Sequence, residues 1–141
     1  MIYIGIDCGH DTGLAVWDSR DKEFQAVATL KIHRALDAVR SWNEEHPGEV
    51  VVVFEDARER RWFPRERDDS EYRGRLMGAG SVKRDAVIWQ DFLADHEIPF
   101  ISQAPHKGLT KWDAPTFAAV TGWTGRTSNH ARDAALLVFG R

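Results

Sequence analysis

The chain has 141 residues, of which 43% are hydrophobic and 29% charged, with 19 basic and 22 acidic side chains. This length predicts one domain over residues 1–141, and the apolar fraction is too high for a disordered chain. No apolar run reaches the roughly 20 residues of a membrane span, and the net charge of −3 argues against a simple basic nucleic-acid binder. The single cysteine, Cys8, excludes an internal disulfide and favours a reducing, cytoplasmic location.

The first third of the chain is predicted to form three antiparallel strands. Apolar residues alternate with others over residues 2–7, and apolar runs return at 14–17 and 24–32, with turn-forming residues between them. In the third strand, the even-numbered apolar residues from Phe24 to Leu30 are expected to share one face.

A helix and a buried strand are predicted next. Apolar residues recur at helical spacing from Ala35 to Trp42, and Pro47-Gly48 ends that helix. The unbroken apolar run over residues 50–54 is typical of a central strand that is buried on both faces.

The second half changes in composition before regular elements return. Residues 57–80 lack apolar periodicity and are rich in arginine, which predicts a long functional loop or a helix–loop segment outside the core. Helical spacing resumes at Val82, and a strand at 98–101 and helices at 111–120 and 128–140 follow. This order predicts an α/β fold in which helices flank a mixed five-stranded sheet whose first three strands are antiparallel.

Four side chains that can bind metal lie at the ends of predicted elements. Asp7 ends the first strand, Glu55 ends the valine-rich strand, and His130 and Asp133 are three residues apart on the last helix. Carboxylates brought together at strand ends repel each other unless a cation intervenes, and hard divalent ions prefer oxygen ligands. Two such ions about 4 Å apart could activate water and stabilise the leaving oxygen in phosphodiester hydrolysis.

Each of these residues also has a simpler interpretation. A single acid at a strand end or in a first helical turn is more often a cap or a solvated turn residue. Two further acids compete for the same roles. Asp56 should point to the strand face opposite Glu55, and Asp11 suits the turn after the first strand.

Three motifs follow one another in a fixed order. The first is Ile4-Gly5-Ile6-Asp7-Cys8-Gly9 with Thr12-Gly13-Leu14-Ala15-Val16, the second is Val53-Phe54-Glu55, and the third is Asn129-His130-Ala131-Arg132-Asp133-Ala134-Ala135-Leu136. Together they resemble the opening hairpin, second acidic strand and closing helix of the RuvC-type Holliday junction resolvases, in the ribonuclease H-like superfamily. Residues 78–84 also resemble the basic entry into that family's middle helix.

The resemblance implies a Mg²⁺- or Mn²⁺-dependent endonuclease with two ions per site that nicks branched DNA as a homodimer. It carries Asp7, Glu55, His130 and Asp133 over as catalytic and metal-binding residues, with Asp7 shared between the two ions. The chain departs from the family at Cys8, where proline is common, and at His130, where many members have a carboxylate. A neutral nitrogen ligand lowers the negative charge of the site and favours Mn²⁺.

The basic residues are concentrated in one segment. Residues 57–84 contain nine cationic and five acidic side chains, a charge of +4 that leaves −7 for the rest of the chain. Arginines contact phosphates and interleaved aromatic rings stack on unpaired bases, although the same pattern is typical of a solvated loop. Its position after the second acidic strand favours DNA contact. The residues assigned to DNA binding are Arg58, Arg60, Arg61, Trp62, Phe63, Arg65, Arg73, Arg75, Lys83 and Arg84, and Lys107 and Lys111 are candidates for a further phosphate contact.

Three other functions remain open on the sequence. The first is a ribonuclease H-like nuclease acting on structured RNA, as in the short YqgF-like family. The second is a nucleotide binder of the actin or hexokinase type, because residues 7–13 also resemble a phosphate-binding hairpin; such proteins need a second domain, for which 141 residues leave no room. The third is a DNA-junction binding module without catalytic activity.

Overall fold

The computed structural model describes residues 1–59, 70–105 and 111–141, with no side chain described for residues 70–76 and 79. These residues form five strands and four α-helices, with a short 3-10 helix at Ala57–Glu59. In chain order they are β1 (Ile2–Asp7), β2 (Asp11–Asp18), β3 (Glu23–Lys31), α1 (Ile32–Glu45), β4 (Val50–Glu55), α2 (Ser70–Asp95), β5 (Phe100–Gln103), α3 (Ala114–Thr121) and α4 (Asn129–Leu136). The predicted order of strands and helices is confirmed.

The five strands form one mixed sheet in the order β3-β2-β1-β4-β5. The β1–β2 and β2–β3 pairs are antiparallel, whereas β1–β4 and β4–β5 are parallel. Ile6 pairs with Phe54, so the next residues along the two strands, Asp7 and Glu55, follow at the same edge of the sheet. The polar ends of β1 and β4 are therefore neighbours in space.

Each face of the sheet is covered by helices. Alternate residues of β1 and β4, such as Ile4 and Phe54, pack under α1 and α2, and Trp89 of α2 is fully buried there. Val53 faces the other way and packs with residues of α3 and α4, including Phe117 and Ala134. The apolar run of β4 is thus buried on both faces, as its sequence predicted.

Helix α4 lies directly on the sheet because two strand residues have no side chain. A Cβ atom at Gly5 would overlap the carbonyl oxygen of Ala134, and one at Gly13 would overlap that of His130. Only glycine allows the helix backbone to approach so closely. This contact fixes the first turn of α4 beside the end of β1.

Residues 70–80 are helical, since α2 begins at Ser70, which agrees with the helix–loop alternative predicted for this stretch and not with a continuous loop. The described residues 77, 78 and 80 are exposed, so no apolar periodicity marks them. One prediction about local structure is wrong. Phe24 does not share a face with Ala26 and Leu30, since a register shift beside Val16 sends it to the opposite core. In the described residues, no helix is both long and apolar enough to cross a membrane.

Candidate active site

Asp7 and Glu55 line a common cavity at the polar edge of the sheet. The cavity has a volume of about 150 Å³, and its lining is completed by Cys8, Ala57, Val82 and Pro105. The side chain of Asp7 is 22% exposed, and the residue before each acid is fully buried in the core. The ends of β1 and β4 therefore place both carboxylates at one partly desolvated site, beside Val82 of α2.

His130 joins this site from α4. Its Nδ1 lies 2.8 Å from Oδ2 of Asp7, so in the neutral ring Nδ1 carries the proton and donates it to the carboxylate, which leaves Nε2 with the free lone pair. Ser128 caps the helix by accepting a hydrogen bond from the backbone N–H of Ala131. Together with the close approach at Gly13, this cap fixes the turn that presents His130.

Burial governs the protonation of Asp7. Loss of hydration raises the pKa of the Asp7 carboxyl above its ordinary value, and the hydrogen bond and electrostatic attraction between Asp7 and His130 only partly oppose this. The nearby carboxylate of Asp133 raises the Asp7 pKa further. The interactions with His130 therefore do not fully offset the cost of burying the negative charge of Asp7.

Asp133 lies close to the same group but has a partner of its own. The Nζ of Lys111 lies 3.0 Å from Oδ2 of Asp133 and donates a hydrogen bond to it. This hydrogen bond raises the pKa of Lys111, and the negative charges of Asp133, Asp7 and Glu55 raise it further. Lys111, which the sequence suggested only as a phosphate contact, is thus part of the site. Its pairing with Asp133 joins residues 22 positions apart, and the sequence did not predict that contact.

The segment that carries Lys111 is held against α4 by Arg132. This arginine is buried, and its Nε donates a 2.8 Å hydrogen bond to the carbonyl of Trp112. Its remaining nitrogens donate to the carbonyl and hydroxyl of Thr127 and to the side chain of Asn129. Arg132 therefore ties together the stretch before α3, the loop before α4 and α4 itself.

The competing acids have separate partners. Asp56 is buried and accepts paired hydrogen bonds from the Arg58 guanidinium, which holds its pKa below the ordinary value. Asp11 pairs with Lys31, and that contact lowers the pKa of Asp11. These acids are engaged away from the cavity that Asp7 and Glu55 line.

The donor types fit a hard divalent cation. Three carboxylates and one imidazole lie along this edge, and these are ligand types that Mg²⁺ and Mn²⁺ accept. Burial and the neighbouring carboxylates raise the pKa of the Cys8 thiol, which keeps it protonated and unsuited to metal binding. Within residues 1–59, 70–105 and 111–141, no three His, Cys, Asp or Glu side chains already stand together as a metal-binding group. Three of the proposed ligands are instead held in pairs, Asp7 with His130 and Asp133 with Lys111.

The predicted DNA-binding residues are only partly placed. Arg58 donates hydrogen bonds to Asp56 and Gln90, while Lys83 and Arg84 are exposed on α2. Arg73 and Arg75 lie on the α2 backbone without described side chains. Arg60, Arg61, Trp62, Phe63, Arg65 and Lys107 lie outside the described residues.

Comparison with known proteins identifies the fold. No protein-family model matches the sequence. No curated protein matches it either. Among solved structures, the chain is similar to "T. thermophilus RuvC in complex with Holliday junction substrate", with 16% sequence identity, a TM-score of 0.60, and coverage of 99% of this chain and 92% of that chain. At this identity the likeness shows the fold alone, which is the RuvC-type, ribonuclease H-like α/β fold that the sequence predicted.

Proposed function

We propose that the chain is a metal-dependent endonuclease that cleaves phosphodiester bonds in branched DNA, acting as a homodimer inside the cell. One observation carries the proposal: β1, β4 and α4 bring Asp7, Glu55, His130 and Asp133 to one edge of the sheet. The structural neighbour was solved with a Holliday junction substrate, and a four-way junction is accordingly the first substrate to test.

The same four residues are proposed to hold two Mg²⁺ or Mn²⁺ ions. When bound, these ions would supply an activated water and a stabilised leaving oxygen for hydrolysis. Asp7 is proposed to be shared between them, because it lies within electrostatic reach of both Asp133 and His130. His130 orients the Asp7 carboxylate through Nδ1 and offers Nε2 as a ligand.

DNA contact is assigned to the basic segment that follows β4. Lys83 and Arg84 are exposed on the helix that also provides Val82 to the cavity wall. A phosphate backbone that reaches Asp7 and Glu55 passes this side of α2, where exposed cations attract it. Arg60, Arg61, Trp62, Phe63 and Arg65 are proposed as further DNA contacts on the basis of the sequence.

One observation favours a second candidate, a junction-binding module without catalysis. Asp133 is paired with Lys111 and Asp7 with His130, so the site partly compensates its own charge. A protein of this kind would bind the junction with no requirement for divalent ions.

The deciding experiment is a cleavage panel with four-way junction, flap, duplex and RNA–DNA hybrid substrates in Mg²⁺, Mn²⁺ or EDTA. The wild type is expected to cut the junction only with a divalent ion, and Asp7→Asn to lose about 10³-fold or more of the rate while still binding the junction. Asp11→Asn is the matched control, since Asp11 is an exposed carboxylate paired with Lys31.

Each outcome assigns a function. Full cleavage by Asp7→Asn would exclude the proposed site. Junction binding with no cleavage in any metal identifies the binding module, and cutting confined to the RNA–DNA hybrid identifies a ribonuclease.

A further inference from the structure

The ammonium group of Lys111 contacts one of the four proposed metal ligands and lies within electrostatic reach of two more. The Nζ of Lys111 donates a 3.0 Å hydrogen bond to Asp133, and the charges of Asp7 and Glu55 act on it as well. The side chain of Asp133 is only 25% exposed, whereas that of Lys111 is 76% exposed. The lysine therefore reaches from solvent toward a partly buried acidic group.

The backbone beside Lys111 is fixed by contacts on the far side of the site. The carbonyl of the next residue, Trp112, accepts a hydrogen bond from buried Arg132, which stands next to Asp133 on α4. The Trp112 ring also packs against Phe117 and Phe139. The Lys111 backbone is thus anchored to the same helix as Asp133, and only the flexible lysine side chain needs to rotate for the pair to open.

We propose that Lys111 is a built-in counter-ion that competes with divalent metal for Asp133 and so sets the affinity of the site for metal. This inference rests on the metal site of the proposed function. An ammonium and a divalent ion cannot both approach one carboxylate oxygen without repelling each other. Metal entry therefore requires the Lys111 amine to leave Asp133, and the metal-free protein keeps its acidic cluster compensated in the meantime.

The test measures metal binding without DNA. Mn²⁺ is titrated into the full chain by calorimetry, and free Mn²⁺ is followed by electron paramagnetic resonance. Lys111→Met is expected to bind Mn²⁺ about 3- to 10-fold more tightly than the wild type, as expected for loss of a partly exposed ion pair together with a repelling charge. Lys111→Arg keeps the positive charge and is expected to stay close to the wild-type affinity.

Two controls separate competition from a general change of charge. Lys31→Met removes a positive charge paired with Asp11 at the same edge of the sheet, outside the cavity, and is expected to have a much smaller effect. In an Asp133→Asn background, Lys111→Met is expected to give no gain, because the contested carboxylate is gone.

The outcomes distinguish this inference from the proposed function. Equal Mn²⁺ affinity in the wild type and Lys111→Met, or an equal gain in Lys31→Met, overturns the inference and leaves the nuclease proposal standing. Tighter binding by Lys111→Met supports the inference even where the protein cuts no substrate. Absence of Mn²⁺ binding in every variant overturns the inference and removes the metal site on which the nuclease proposal depends.

Discussion

Asp7 shows, at the scale of one residue, that a candidate catalytic group costs stability. Burial raises its pKa above the ordinary value of 3.8, so the folded protein binds this proton more tightly than the unfolded chain does. Its contribution to the free energy of unfolding is therefore greatest at low pH. That contribution falls as the pH rises from 3.8 through the raised pKa.

Removing the charge is expected to stabilise the metal-free protein. At pH 7 in EDTA, Asp7→Asn should raise Tm by about 2–4 °C, equivalent to roughly 1 kcal/mol. The difference should shrink toward pH 3, where the wild-type carboxyl is protonated. Thermal unfolding measured from pH 3 to 7 checks both expectations.

Asp11 provides the opposite case for comparison. Its pKa is lowered by Lys31, so it contributes stability at neutral pH that is lost as the pH falls. Asp11→Asn should therefore not stabilise the protein at pH 7. A lower Tm in Asp7→Asn than in the wild type at pH 7 would contradict the argument from burial.

The pairing of Lys111 with Asp133 could not be predicted from the sequence. Asp7 and Glu55 were predictable as neighbours because each directly follows an apolar strand, and parallel strands end at the same edge of a sheet. Lys111 has no such signal. Its place depends on the docking of Trp112 against Arg132 across 20 residues of chain, which is a tertiary contact.

At the scale of helices and strands, some elements could be predicted from their apolar pattern and others could not. β1 and β4 carry strong period-2 or fully apolar patterns, and their structure matches the prediction. The first turns of α2 lack an apolar face because their described side chains face solvent, so periodicity could not show them as helical. The bulge in β3 moved Phe24 to the opposite face, since one extra residue inverts the alternation.

The placement of α4 depends on a glycine that a motif alone does not explain. Gly13 pairs with Asp7 across the β1–β2 hairpin, and the carbonyl of His130 lies directly over it. Any side chain at position 13 pushes α4 away from the sheet, which separates His130 from Asp7. The glycine of the hairpin motif is thus required by helix packing.

Gly13→Ala is expected to lower the free energy of unfolding by about 1–3 kcal/mol, the usual effect of overpacking a core contact. Urea denaturation measures the change. Gly78→Ala is the matched control, because a Cβ at this α2 position meets no atom of the described residues within 4 Å, and it should raise stability by about 0.5–1 kcal/mol through helix propensity. Equal stability in Gly13→Ala and the wild type would show that α4 can shift without cost.

At the scale of the whole molecule, the net charge of −3 combines two opposed regions. Residues 57–84 carry +4 and the rest carries −7, part of which is the acidic group at the sheet edge. The positive segment begins two residues after Glu55, at Ala57 in the cavity wall. The segment proposed to contact DNA therefore follows the proposed metal ligand Glu55 directly along the chain, and the net charge alone conceals both regions.

The salt dependence of junction binding tests this division of charge. Replacing Arg60, Arg61 and Arg65 together with alanine is expected to weaken binding and to reduce the slope of log K against log salt by up to about 2.7, because each phosphate contact releases about 0.9 counterion. Fluorescence anisotropy of a labelled four-way junction in EDTA, from 50 to 200 mM salt, measures the slope apart from cleavage. Replacing Arg20, Lys22 and Arg40, which lie outside segment 57–84, removes the same charge and should leave the slope nearly unchanged. An equal loss of slope in both triple variants would indicate attraction by net charge alone, with no DNA-contacting surface in residues 57–84.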